Sequence, residues 1–403
     1  MSASEAIRID SAERALLDLL KNSLFGEKHG LTDAEQLEAL EESEKQAVYC
    51  LAVQNVSLPE EQLDAVRKRA YSGIMQNVRV QREHSMLHGI MDEAGVPYVI
   101  LKGAASALYY AQPELRMMGD VDFLVAPENV ARATAALCEK GFVPWNERHI
   151  CHIVLRRGKT HLELHFEPAG VPDGAAGGVV REYLKDAISS AALTENALST
   201  FMNPSPFHHG LVMLLHMQHH LLSEGIGLRH LCDWAVFVNS FSDGDFTATL
   251  RDRLERCGLW RFAVAASLAA HRAIGLPYRE FMGDDTELAD ALLVDILKGG
   301  NFGQKDKKRS EEGLFISNRG KDGVNSGRIT QFTRSVNHII YTKWPASQKV
   351  KALLPLGWLC FGGRRLMRIA LGRREPLRLA EAFENSRGRK ELYKQLHLFE
   401  LGD

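Results

Sequence analysis

"VILKGAASALYYAQPELRMMGDVDFLVAP", residues 99–127, decides how the chain is to be read. A hydrophobic run stops at Lys102-Gly103, small residues follow, and Asp120 and Asp122 stand one residue apart inside a second hydrophobic run. "YVILK" and "DVDFLV" each read as a short buried strand, and "GAASALYYA" as a helix opening at Gly103. On a strand, side chains at i and i+2 share a side, so Asp120 and Asp122 point one way and Val121 and Phe123 the other. Two carboxylates aimed together repel unless a cation lies between them, and the hard ion Mg²⁺ takes carboxylate oxygens together with phosphate oxygens. The pair predicts a metal.

A third carboxylate on a neighbouring strand would complete a two-metal site for nucleotide chemistry. In "HLELHF" the leucines and Phe166 alternate with His161, Glu163 and His165, so Glu163 can join the aspartates while the leucines face the core. His165, on the same face, would support the metal set or touch substrate. At Lys102-Gly103, a strand end followed by a helix start gathers free backbone N–H groups where phosphate binds well. Lys102 and Arg116 add positive charge for a triphosphate, arginine in bidentate fashion.

The arrangement "LKGAA…Y…R…DVDFLV" resembles the DNA polymerase β-like nucleotidyltransferase superfamily, and most closely its bacterial branch of uncharacterised nucleotidyltransferases. The "ELHF" around Glu163 and the downstream "LVMLLHMQHH…GLRHLCDWAVF" are similar to that branch as well, so the resemblance extends over roughly residues 10 to 270. It implies Mg²⁺-dependent transfer of a nucleoside monophosphate, AMP from ATP, to an unidentified hydroxyl or phosphate acceptor. It also implies two Mg²⁺ held by Asp120, Asp122 and Glu163, with the triphosphate on the turn of Gly103 and Ala104 and with Lys102, Arg116 and His165 around it. Two departures leave a second reading open. The superfamily has Gly-Ser where this chain has Gly103-Ala104, and an aspartate where it has Glu163. A catalytically degenerate nucleotide-binding or partner-binding protein would carry such changes.

Outward from this stretch, apolar residues recur at helical steps from about Ser11 to Glu93, and "AGVP" (94–97) ends the last of these helices. "ENVARATAALCEKGF" reads as a helix, and "FVPWN", "HICHIVLRR" and "THLELHFEP" as strands, the last two joined by a turn at "RGKT". The expected class is α+β: a small mixed sheet as nucleotidyltransferase core (95–200), between a helical region (1–94) and a helical domain (201–298). A flexible loop rich in Gly and charge (299–328) and a C-terminal helical region (329–403) follow.

The chain of 403 residues carries a formal charge of −2, which gives no global field for capturing nucleic acid. Six scattered cysteines without CxxC spacing predict reduced thiols in the cytoplasm, and neither a basic–apolar leader nor a membrane-length apolar run is visible. His216 and His220 lie four apart on a helix with Asp233 downstream, but Met217 stands where a zinc protease needs its glutamate. Together with His230 they read as packed, hydrogen-bonded residues, some lining the acceptor pocket. The arginine-rich "WLCFGGRRLMRIALGRR" reads first as a solvated helix face; arginines beside aromatic and aliphatic residues also suit an anionic membrane surface or an anionic acceptor.

Overall fold

The spacing between Ser11 and Glu93 yields four helices, α1 (Ser11–Phe25), α2 (Asp33–Lys45), α3 (Tyr49–Ala52) and α4 (Glu60–Glu93), in a computed structural model that describes residues 9–146, 151–316, 326–344, 346–371 and 379–401. α1 and α2 open on reciprocal capping boxes, Asp10 with Glu13 and Thr32 with Glu35, which occupy otherwise orphaned N–H groups. α4 ends where the Val96 N–H turns back to the Met91 carbonyl at 2.9 Å, with Gly95 in the left-handed region.

Strand β1 (Tyr98–Ile100) follows, then the one-turn helix α5 (Ala104–Ala107), β2 (Val121–Val125), α6 (Val130–Glu139), β3 (Val143–Asn146), β4 (His152–Arg157) and β5 (Thr160–His165). The sheet order is β1-β2-β5-β4-β3, and of its pairings only β2–β5 is parallel. Gly158-Lys159 makes the expected tight turn between β4 and β5; residues 149 and 150 of the expected strand "HICHIVLRR" lie outside the described residues. Alternation decides the two faces. Val121, Phe123, Leu162 and Leu164 enter a core closed by Val80, Leu87 and Met91 of α4 and Leu137 of α6. Asp122, Glu163 and His165 take the opposite face. The α+β class with helical flanks holds.

Beyond the sheet come α7 (Gly174–Leu184), the hairpin β6 (Ala192–Glu195) and β7 (Thr200–Asn203), and five helices: α8 (Pro206–Leu222), α9 (Leu228–Asn239), α10 (Asp243–Arg256), α11 (Trp260–Ile274) and α12 (Thr286–Gly299). Leu16 and Leu20 of α1 and Leu40 of α2 share one core with Leu211 and Leu215 of α8, Trp234 of α9 and Leu292 of α12. The N-terminal helices and those of 201–298 therefore bury their apolar faces against each other.

The segment 299–328 departs from the loop expected of its composition. A 3₁₀ turn at Asn301–Gly303 and α13 (Arg309–Glu312) are pinned to the body: the Lys305 ammonium reaches Glu13 at 2.7 Å and Glu42 at 2.6 Å, and Arg309, almost fully buried, pairs with Asp295 at 2.6 Å. Lys305 and Arg309, charges of a segment that reads as a flexible loop, are partners of buried carboxylates. Residues 317–325 of that segment lie outside the described residues. The chain continues through α14 (Arg328–Lys343), α15 (Ala346–Lys349), α16 (Leu354–Ala370) and α17 (Leu379–Gln395).

Candidate active site

The parallel pairing of β2 with β5 sets Asp122 directly beside Glu163, in register. Neighbouring residues on paired strands present their side chains to the same face, so the two carboxylates meet through backbone geometry alone. Glu163 and His165, two apart on β5, share that face for the same reason. The ligand atoms of Asp122, Glu163 and His165 lie within 4.8 Å of one another.

Two side-chain cations neutralise this group. The Lys102 ammonium lies 3.1 Å from Asp122 Oδ2, and His165 Nε2 lies 3.2 Å from Asp122 Oδ1 and 3.4 Å from Glu163 Oε2. Burial alone would push His165 down, but its bonds to Asp122 and Glu163 outweigh that and raise it to about 9, an imidazolium at neutral pH. Burial likewise works against the charge on Glu163; the bond from His165 and the Lys102 ammonium prevail and hold its carboxyl at about 2. Lys102 is raised, burial being overcome by Asp122, Asp120 and Glu163 together. The Lys102–Asp122 contact is an ion pair without hydrogen-bond alignment: buried Asp122 Oδ2 has no hydrogen-bond partner among the described residues, nor has His165 Nδ1. A buried carboxylate oxygen without a hydrogen bond, beside a second carboxylate, offers a lone pair to a cation, and oxygen donors of this kind fit Mg²⁺.

Asp120 stands one residue before β2, half-buried, and belongs to no such close group among the described residues. It lies where two cavities meet. One, of about 620 Å³, reaches Gly103, Met118 and Arg229; the other, of about 700 Å³, reaches Asp122, Glu163 and His165. Lys102, Asp120, His216 and Phe302 line both.

Gly103 has φ +68°, a conformation side chains strain to adopt, and a Cβ there would come within 3.2 Å of His84 Nε2. His84, fully buried on α4, explains part of this turn. Its Nδ1 donates to the Val80 carbonyl at 2.8 Å, so Nε2 is the acceptor and receives the Ala104 N–H at 3.4 Å. Burial pushes His84 down to about 4, in keeping with that neutral role. The expected phosphate cradle is thus narrower than its sequence implies: α5 is one turn long and the Ala104 amide is already engaged.

Arg116 was expected at the triphosphate. The structure commits it elsewhere: Nε and Nη2 grip the two Asp233 oxygens at 2.8 and 2.7 Å, and Tyr110 donates to the same carboxylate at 2.7 Å. The arginine open toward the Gly103 cavity is Arg229, at the start of α9. Its contacts are weak, 3.3 Å to the Met117 carbonyl, 3.4 Å to the Asn301 amide oxygen and 5.6 Å to the Phe302 ring centroid; its Nε has no hydrogen-bond partner, and no carboxylate pairs with it, among the described residues. Burial, then the neighbouring Arg116, lower its pKa. Nothing in the sequence separated Arg229 from the other arginines.

Asp233 is therefore not free to join His216 and His220 at a metal, and these residues form no close ligand group among the described residues. Of the histidines expected to be hydrogen-bonded, His220 reaches Glu224 at 3.2 Å, whereas neither ring nitrogen of His230 has a hydrogen-bond partner among the described residues. Burial pushes His216 and His230 well down, so both rings are neutral. They surround Phe302, whose ring centroid lies 4.7 Å from His220 and 5.6 Å from His230. Phe302 holds φ +53°, a strained conformation for so bulky a residue, and in doing so lines both cavities.

A small mixed sheet carries in-register carboxylates on one face, next to a glycine turn and to an arginine that has no carboxylate partner among the described residues. A family model described as "Uncharacterised nucleotidyltransferase" matches residues 44–275, more than half of the chain, and the protein belongs to that family. No curated protein and no solved structure matches the chain.

Proposed function

We propose that the protein transfers AMP from ATP to a hydroxyl or phosphate acceptor, in the manner of the DNA polymerase β-like superfamily and its bacterial branch. The reading rests chiefly on one observation, the in-register Asp122 and Glu163 beside the Gly103 turn. Asp122 and Glu163, with Asp120 next to them, would hold two Mg²⁺, which when bound neutralise phosphate charge and acidify the attacking hydroxyl.

The chain's own residues supply the rest. Arg229 and Lys102 take the triphosphate in the cavity at Gly103, Lys102 exchanging Asp122 for a β- or γ-phosphate oxygen. The neutral faces of His216 and Phe302 offer a base something to stack on. The acceptor enters from the other cavity. Its oxygen bonds to the α-phosphorus as the bond to the bridging oxygen breaks; pyrophosphate leaves with that electron pair, and the acceptor's proton passes to Asp120. Six cysteines without paired spacing fit a cytoplasmic setting.

A second reading, a degenerate nucleotide-binding or partner-binding protein, is favoured by the engaged Ala104 amide and by the neutralisation of Asp122 by Lys102 and His165. Incubation of the protein with Mg²⁺, a cell extract and ATP labelled at the α-phosphorus separates the two. An enzyme moves label to an acceptor and releases pyrophosphate, and loses both in Asp122→Asn. A degenerate protein gives no labelled product, and calorimetry shows ATP binding that ignores Mg²⁺.

A further inference from the structure

Residues 323–374 contain ten basic residues and not one aspartate or glutamate, in a chain whose formal charge is −2. Within that segment α16 is an amphipathic helix turned inside out with respect to the body it sits on. Its inner side is fixed: a Cβ at Gly357 would meet Ile340 of α14 at 2.5 Å, Trp358 Nε1 donates to Asn337 at 2.8 Å, and Arg365 pairs with Glu311. Its outer side is apolar. Leu356, Leu359, Leu366 and Met367 are 51%, 73%, 69% and 58% exposed, and Leu371, just past the helix end, is 58% exposed. On a helix, positions 356, 359, 363, 366, 367 and 370 fall on one side, so these side chains form a continuous stripe with small Gly363 and Ala370 between them. Arg364 is exposed beside the stripe, and Lys349 and Lys351 are exposed just before the helix.

We infer that α16 docks on an anionic lipid surface, with its leucine stripe in the interface and the surrounding cations on the headgroups. No helix among the described residues is long and apolar enough to cross a membrane, so the contact is a lateral one. Charge complementarity points to an anionic partner, and a stripe of aliphatic side chains without aromatic rings favours acyl chains over stacked bases. α14 links this surface to the site: Ile339 and Lys343 line the cavity of Asp122 and Glu163 and also a smaller one of about 110 Å³ against Cys360 and Phe361 of α16. The docked helix lies one helix away from the acidic site, whatever reaction that site performs.

The test is flotation of the full chain with vesicles of phosphatidylcholine alone and of phosphatidylcholine mixed with phosphatidylglycerol. Binding is expected to the mixed vesicles only and to weaken as salt is raised. Leu359→Glu and Leu366→Glu should each lower it about tenfold or more. Both leucines are exposed, so thermal unfolding and ATP binding should match the unaltered protein. Failure to float with the mixed vesicles overturns the inference, as does binding that both glutamate variants leave unchanged, which would be electrostatic attraction alone. A stripe serving a second copy of the chain would show in sedimentation as a dimer broken by Leu359→Glu without vesicle binding. A nucleic-acid surface would show as RNA or DNA shifts at protein concentrations that leave vesicles bare. Either result also overturns it.

Discussion

Asp122 and Asp233 are both buried aspartates, and both sit against basic side chains, yet their surroundings differ in one respect. Asp233 receives three aligned donors, from Tyr110 Oη, Arg116 Nε and Arg116 Nη2, all between 2.7 and 2.8 Å. Asp122 has His165 at 3.2 Å and the Lys102 ammonium at 3.1 Å, and its Oδ2 has no well-aligned donor among the described residues. A buried charge with aligned donors on both of its oxygens serves to hold the fold. One whose lone pairs are left over, beside a cavity, is held ready for something else. By this difference Arg116 is held by Asp233, whereas Arg229 stands beside the Gly103 cavity with no carboxylate partner among the described residues.

Asp233→Asn should have the largest effect on stability. It leaves Arg116 and Tyr110 without their anion in a buried position, at a cost of about 3–5 kcal/mol, read as a lowered urea midpoint. Asp122→Asn should cost less than half of that, because Lys102 is partly exposed and His165 can release its proton. Relief of repulsion with Asp120 should contribute little, since Lys102 and His165 neutralise Asp122. Its effect should appear in transfer of label from ATP, a fall of about 10²–10³-fold. Equal unfolding midpoints for the two variants would erase the distinction between closed and open aspartates.

Third in size are Lys102→Met and Arg229→Met. Each removes a charged donor and should weaken ATP by about 10- to 150-fold, the loss of about 1.5–3 kcal/mol, while AMP binding changes little. Arg116→Met should instead lower the melting temperature. If Arg116→Met and Arg229→Met exchange these phenotypes, the triphosphate is held at Arg116 after all.

A fourth effect is on pH. His84 and His209 are each pushed to about 4, first by burial, whereas an unfolded chain binds those protons near pKa ~6.5. Folded-state pKa values below the unfolded one mean that this stability is whole above pH ~6.5 and is lost as pH falls toward 4. Melting temperatures taken across that interval should fall, with a shallower slope in His84→Asn. An unchanged slope would show that the imidazole behind Gly103 is not kept neutral.

Much was legible in the chain because it is local. Period-two alternation set Asp122, Glu163 and His165 on one face and their apolar neighbours on the other. Gly95 and Pro97 stopped α4, and three- to four-residue spacing located the helices. Each of these depends on a few consecutive residues and on backbone geometry that any chain obeys. The tertiary structure alone decided that β2 lies parallel to β5 with Asp122 opposite Glu163, and that Arg116 meets an aspartate 117 residues away. It alone placed His84 behind the turn and brought Phe302, from a segment that reads as a loop, between the two cavities. Pairings of this kind are fixed by how whole elements pack, so which of many similar charges end up satisfied and which are left open is not written in the spacing of any one stretch.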